Sequence, residues 1–374
     1  MKKQLTWQRL KKDKKLFTKR QLRQKLIQST RNFFLRNNFQ EVETPLLVPH
    51  LIPESYLEVF ETYLLDRNRH KRRMFLTTSP ESSLKKLLVA GIGNCFEITK
   101  SFRNTENGSH LHNPEFSLLE WYRIPATYLG IMKDCEDWLI YLYKEVYQPS
   151  LHNSHATVRG SYPKNIITYL GTTIDLTPPW ERLSVDEALQ RFAGITLDDI
   201  TDKSRINLSE IFSLKKISAV AEKKGYTYTN VSSWEQIFNQ IFLNEVEKYL
   251  GTHGQPTIIY DYPRPLAALA KVSKEDTRIA ERFEFYIAGL ELGDCYNEST
   301  DSNYLKKRFL EEQKFIKRLG KTPIIPDKDF LQAMSLPLPP YSGIAVGLDR
   351  LAMLFTDSKS IDEILYFPAS EWMG

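Results

Sequence analysis

SFRNTENGSHLHNPEFSLLEWY, residues Ser101–Tyr122, gathers one arginine, two histidines and three glutamates, with Phe116 among them. Parts of its second half, Pro114 to Tyr122, alternate polar and apolar residues as a half-buried strand does. The run before it, FEITKSFR (Phe96–Arg103), alternates too. Two strands joined by a loop carrying Arg, Glu and His can surround a phosphate chain and an amine together. The stretch therefore reads as a nucleotide-binding loop whose site the rest of the chain completes.

Working outward toward the N-terminus, Met74–Thr78 is a short strand and Ser79-Pro80-Glu81 opens a helix. Ser79 is a natural N-cap and Pro80 suits the first helical position. RNRHKRR (Arg67–Arg73) is the tip of a hairpin, and FQEVETP (Phe39–Pro45) alternates as a strand that Pro45 ends. Leu22, Leu26, Phe33 and Phe34 recur at helical spacing from Phe17 to Asn37-Asn38, residues that tolerate the left-handed turn after a helix. Residues 1–16 form a basic arm. Toward the C-terminus, Tyr128–Val146 is a long amphipathic helix, residues 149–175 read as a linker and residues 190–250 as a helical insertion. Pro256–Tyr262, Ala280–Ile287, Leu290–Cys295 and Ser342–Val346 are strands, and Asp301–Arg318 and Gly347–Phe355 are helices. Antiparallel-looking neighbours with helices between them predict an α+β sheet rather than a βαβ series.

A hydrophobic share of 41% suits a globular core, and no run reaches the apolar length of a membrane span. The charge is uneven. Residues 1–36 hold thirteen Lys or Arg and one acid, Asp13, so the remainder is net acidic. That face is either simply solvated or meets an acidic partner. Cys95, Cys135 and Cys295 are far apart and lack metal-ligand spacing, which predicts reduced thiols and a cytoplasmic location.

No GxGxxG opens a helix, and neither GxxxxGK[ST] nor HExxH occurs. What remains is a set of charges on strands. Arg103 ends one strand; Glu120 and Tyr122 share a face of the next. Glu284 and Glu291 are seven apart, with Gly289 able to let them converge; Glu298 follows, and Arg350 lies in the last helix. Singly, each is more often a surface ion pair. As a set, buried carboxylates need a cation and a phosphate chain needs Arg and Mg²⁺, so one site for ATP, Mg²⁺ and an amine-bearing substrate satisfies both.

These stretches resemble the class II aminoacyl-tRNA synthetases, most closely the lysyl subgroup and, within it, the EpmA (PoxA/GenX) lysine ligases of elongation factor P. FQEVETP resembles the end of motif 1, FRNTENGSHLHNPEFSLLEWY resembles motif 2, and GIAVGLDRLAML (Gly343–Leu354) is similar to motif 3. TSPE (Thr78–Glu81) and GLELGDCYNESTD (Gly289–Asp301) match lysine-pocket segments. The resemblance implies a six- or seven-stranded antiparallel sheet flanked by helices, a homodimer through motif 1, and no anticodon-binding barrel ahead of the helix near residue 17. It implies activation of a lysine-like amino acid by ATP and transfer to a lysine of elongation factor P. By position, Arg103 would hold the α-phosphate and substrate carboxylate, with Asn104 beside it. Glu106 would recognise adenine, on which Phe116 stacks with Arg350 opposite. His112 and Arg350 would contact the terminal phosphates, and Glu284 and Glu291 would bind Mg²⁺. Glu81 would take the backbone-side amine, and Glu120, Tyr122 and Glu298 the distal amine.

One departure stands out: Asp294-Cys295-Tyr296 replaces the family's usual Asn-Gly-Phe. Asp294 would repel the substrate carboxylate unless protonated or paired with Arg103 or a metal. The expectation is a pocket for a displaced amine, as in β-lysine, with Asp294 and Tyr296 lining it. Two alternatives compete: a free-standing lysyl-type synthetase acting on tRNA or another RNA, and an inactive paralogue that binds or regulates.

Overall fold

The structure, a computed structural model, describes residues 5–372 except 107–108, 149–164, 230–231 and 268. Its main sheet has eight strands. In chain order they are β1 (Gln40–Glu41), β2 (Cys95–Phe102), β3 (Glu115–Arg123), β4 (Glu181–Ser184), β5 (Thr257–Pro263), β6 (Ile279–Ile287), β7 (Leu290–Asn297) and β8 (Ser342–Gly347). Across the sheet the order is β1-β2-β3-β8-β7-β6-β5-β4. The six inner strands pair antiparallel, and the short strand at each edge pairs parallel to its neighbour. The expected α+β class and antiparallel sheet are present, with eight strands in place of six or seven.

The longer helices are α1 (Lys14–Arg36), α2 (Glu81–Val89), α3 (Tyr128–Tyr147), α4 (Leu214–Lys223), α5 (Trp234–Glu245), α6 (Ser302–Arg318) and α7 (Leu348–Phe355). Period-two alternation sends Leu119, Trp121, Phe283, Cys295, Ile344 and Val346 to one sheet face, where α1, α3 and α7 bury them. Phe34 of α1 anchors that layer, its ring 5.2, 5.1 and 4.9 Å from those of Phe39, Phe96 and Trp121. Arg23 ties α1 to α7, its Nε donating to Asp349 Oδ1 (2.9 Å), while the Ser117 amide donates to Asp349 Oδ2 (2.7 Å). The opposite, polar face of the sheet is left for the site.

The helix at the N-terminus begins at Lys14 rather than Phe17, because the Asp13 side chain caps it by accepting from the Leu16 amide (3.0 Å). Residues 6–10 of the basic arm are helical too, and the Thr6 amide bonds the Glu371 carboxylate. Asn38 takes the left-handed conformation that ends α1 (φ 61°). Of the expected linker, residues 149–164 lie outside the described residues. Residues 165–175 are not a linker but a hairpin, Ile166–Tyr169 with Thr172–Asp175, turned by Leu170-Gly171 at positive φ. It forms because Ile167, Tyr169 and Ile174 alternate onto the core. The helical insertion has its own core. Trp234, Phe238 and Phe242 stack at successive turns of α5 (centroids 5.2 and 5.6 Å), and the cluster continues onto Ile259, Tyr262 and Tyr286 of β5 and β6.

Candidate active site

Sheet register assembles the site. One row runs Glu284, Asp294, Ala345, Glu120 across β6, β7, β8 and β3, and the next runs Arg282, Tyr296, Gly343, Tyr122. The β6–β7 turn is Ala288-Gly289, both at positive φ (53° and 76°), the two-residue geometry that suits a twisted hairpin. Gly343 has a steric reason: a Cβ there would lie 2.1 Å from Tyr122 Cε1, so the glycine lets the tyrosine ring lie across β8. Gly293 has one as well, since a Cβ there would come within 2.6 Å of Phe285 Cε1; packing imposes it. Every predicted site residue except Asn104 lines one cavity of about 910 Å³.

At the phosphate end, Arg103 sits over the Phe116 ring (5.2 Å), 3.6 Å from Glu106 Oε1, and its buried Nε has no partner among the described residues. Arg350 donates to the Glu291 carbonyl (2.8 Å), approaches Glu291 Oε2 (3.3 Å) and meets His112 Nε2 (2.7 Å). Arginine has no acceptor, so His112 Nε2 accepts, and Nδ1, 3.0 Å from Ser109 Oγ, carries the proton. Desolvation and Arg350 lower the His112 pKa, so this imidazole is neutral and supports Arg350 rather than adding charge. Glu284 is well supplied with donors: Tyr262 and Tyr286 hydroxyls (2.6 Å each) on one oxygen and Arg282 on the other. Burial nevertheless pushes its pKa up to about 7. Among the described residues no cluster of three or more His, Cys, Asp or Glu could hold a metal by itself. Glu284 and Glu291 face one cavity as the two carboxylates that Mg²⁺ takes when phosphate oxygens supply its other ligands. Asn104 is elsewhere. Its backbone bridges Glu58 and its side chain accepts from the Thr105 amide (3.0 Å), stabilising a left-handed turn at Thr105 (φ 63°).

At the other end, Tyr122 donates to Glu120 Oε1 (2.7 Å), while Glu120 Oε2 is buried with no partner among the described residues. Desolvation first, then Glu81, drives the Glu120 pKa far above the usual carboxylate range. Lys85, which no sequence signal marked, is buried between Glu81 (2.5 Å) and Glu298 (2.6 Å). Even so, burial pushes Glu298 up to about 8. The concern over Asp294 resolves differently from expectation. Its partner is not Arg103: Arg282 donates to both its oxygens (2.8 and 3.0 Å) and Tyr296 donates to Oδ2 (3.0 Å). Arg282, opposite Tyr296 on the neighbouring strand, reaches Asp294 diagonally and neutralises the charge that seemed to exclude a substrate carboxylate.

Comparison with known proteins follows this geometry. The family described as tRNA synthetases class II (D, K and N) matches residues 2–371. The chain is 33% identical over 347 residues to a lysine–tRNA ligase of Buchnera aphidicola, covering 92% of this chain and 62% of that protein. It is 32% identical over 344 residues to an elongation factor P–(R)-beta-lysine ligase of Hamiltonella defensa, covering 92% of each. A protein of the same name from Baumannia cicadellinicola is 32% identical over 353 residues, covering 94% of each. The chain thus spans less than two thirds of the length of the lysine–tRNA ligases it matches.

Proposed function

We propose that this chain, which belongs to the class II tRNA synthetases (D, K and N), is an ATP-dependent ligase for lysine or a lysine analogue such as β-lysine. In this reading it forms an aminoacyl-adenylate and transfers the aminoacyl group to a lysine of elongation factor P. The observation that carries the reading is Glu120 Oε2, a buried carboxylate oxygen without a partner among the described residues, in a cavity that Arg103 and Arg350 also line. A buried carboxylate in that state calls for a cation, and an ammonium beside Glu120, Tyr122 and Glu298 supplies it. The acceptor is proposed from what similar proteins are named for. Relatives named elongation factor P–(R)-beta-lysine ligase match along 92% and 94% of themselves.

The chemistry asks little of the protein beyond placement. The substrate carboxylate attacks the α-phosphorus of ATP as the bond to pyrophosphate breaks. The attacking group is already ionised, so no general base is needed. Arg103, whose Nε has no partner among the described residues, neutralises charge around the α-phosphate, and Arg350, held by His112 and Glu291, faces the leaving pyrophosphate. Mg²⁺, held by Glu284 and Glu291, would offset phosphate charge. The neutral amine of the acceptor lysine then attacks the activated carbonyl, and AMP leaves. We extend the proposal to a homodimer through α1 and the motif 1 strand, in the cytoplasm. Among the described residues no helix is long and apolar enough to cross a membrane.

A pyrophosphate-exchange screen over α-lysine, β-lysine and ornithine, followed by transfer assays with elongation factor P and with tRNA, tests the reading. Exchange with none of them would overturn it in favour of an inactive, regulatory paralogue. The RNA alternative draws on one feature, the exposed Arg9, Lys11, Lys12, Lys14 and Lys15, which could bind phosphate without reading sequence. Charging of tRNA without modification of elongation factor P would select it.

A further inference from the structure

Residues Ile52 to Leu57 all line the cavity. The segment is gripped at Ser55 from both sides. The Ser55 amide donates to Glu312 Oε2 of α6 (2.7 Å), and the Ser55 carbonyl accepts from Lys321 Nζ (2.7 Å), which also reaches the Leu57 carbonyl (3.4 Å). The Thr322 amide donates to Glu58 Oε1 (3.2 Å) just beyond. Backbone fixed through both its donor and its acceptor gives the flanking side chains set directions. Those side chains are Glu54 and Tyr56, and the Tyr56 hydroxyl donates to Glu54 Oε2. Tyr56 is 68% exposed although it lines the cavity, so it stands out into the open space. Glu54 feels the charges of Glu81 and Arg103, and Tyr56 those of Tyr296 and Arg103.

Arg103 is where the proposed function puts the substrate carboxylate. The ammonium nearest that carboxylate was expected to rest on Glu81, but Glu81 already holds Lys85 at 2.5 Å and Lys85 is shared with Glu298. A carboxylate inside such an ion pair has little charge left for a second cation. Among the described residues, the side-chain partner of Glu54 is a phenol hydroxyl, that of Tyr56. Resting on the proposed function, we infer that Glu54 is a substrate-binding residue: it takes the ammonium nearer the substrate carboxylate, releasing Tyr56, and the Ser55 clamp fixes how far from the carboxylate that ammonium lies. The α- or β-position of the amine is then read by Glu54, while Glu120, whose Oε2 has no partner among the described residues, reads the distal one.

The test is amino-acid-dependent pyrophosphate exchange by the full chain, with α-lysine, β-lysine and ε-aminocaproate, which lacks the ammonium in question. Charged hydrogen bonds of this kind set the expected scale: Glu54→Gln should raise KM for the preferred diamino acid about tenfold or more. KM for ATP, and the weak use of ε-aminocaproate, should stay within about twofold. Glu54→Asp should recover part of the loss. Tyr56→Phe, which frees Glu54, should leave KM for the diamino acid at or below that of the wild type, and it serves as the readout if Glu54→Gln melts without cooperativity. An unchanged KM in Glu54→Gln, or a tenfold rise in Tyr56→Phe, overturns the inference while the proposed function stands. A wild type that exchanges with no amino acid overturns both.

Discussion

Four side chains set the electrostatics of the amine pocket: Glu81 and Glu298 share one buried ammonium, Lys85, whose charge Glu120 feels without pairing with it. Desolvation outweighs that ammonium, leaving Glu298 at about 8 and Glu120 displaced upward. A carboxyl whose folded pKa lies above its unfolded value binds more protons folded than unfolded between the two. Its contribution is therefore most favourable at or below the unfolded pKa and is lost as pH rises through the folded one. The ligand-free protein should accordingly melt at lower temperature at about pH 8.5 than at about pH 6, on the order of 1 kcal/mol per pKa unit of displacement. Scanning fluorimetry across that range checks it, and a flat profile would rule out protonated carboxyls in the empty pocket. An arriving ammonium needs these carboxyls ionised, so binding should release protons and KM for the amino acid should fall as pH rises. Calorimetry in two buffers of different ionisation enthalpy measures the released protons directly. Glu120→Gln keeps the shape and the Tyr122 contact but removes the charge. It should cost about tenfold or more in kcat/KM for the amino acid and leave KM for ATP unchanged.

At the level of strands, the site depends on four of them lying in register, and the weak point is Gly343. A methyl group there would collide with the Tyr122 ring, which must then leave Glu120. Gly343→Ala should therefore mimic Glu120→Gln in raising KM for the amino acid, with stability lowered by about 1–3 kcal/mol as for other overpacked sites. A variant that folds and binds the amino acid normally would show that Tyr122 has room to move. Most of this arrangement is legible in the sequence because it is local. Alternation in β2, β3 and β6 to β8 and Gly289 between two strands follow from periodicity and backbone freedom, whereas the strand expected over Phe39–Pro45 is confined to Gln40–Glu41 and stops before Pro45. Motif spacing then brings Arg103, Glu284, Glu291 and Arg350 to one cavity. What is not legible is pairing across the fold. Lys85 reaches Glu298 over 213 positions, and the Ser55 clamp reaches Lys321 over 266, so no window of sequence contains both partners. Arg282 escapes for another reason: nothing short of the β6–β7 register sets it against Asp294. The hairpin at 166–175 is hidden because its three core residues are diluted by polar neighbours.

For the whole molecule, the question is how an acceptor finds the cavity. The N-terminal helices are packed against the C-terminal segment, with Arg20 donating to the carbonyls of Leu365 (2.8 Å) and Asp362 (3.0 Å). That segment in turn packs on the motif 2 loop, the Ile361 amide donating to the His110 carbonyl (2.8 Å), and Ile361 lines the cavity itself. The exposed cations Lys11, Lys12, Lys14 and Lys15 lie around the start of α1. None of them lines the cavity, so a part in docking an anionic macromolecule is separable from adenylate chemistry. Reversing all four to glutamate separates the two steps. Pyrophosphate exchange should stay within about twofold, whereas KM for the macromolecular acceptor should rise about tenfold and the salt dependence of transfer should flatten. Misfolding is a poor alternative explanation, because acidic residues at positions 14 and 15 would occupy the first turn of α1, where the helix dipole favours negative charge. Transfer that is indifferent to the reversal would make the basic face a solvated surface with no part in docking. The same four-fold variant, assayed with elongation factor P and with tRNA side by side, also discriminates between acceptors. Only the true substrate has an affinity for the basic face to lose in competition with salt.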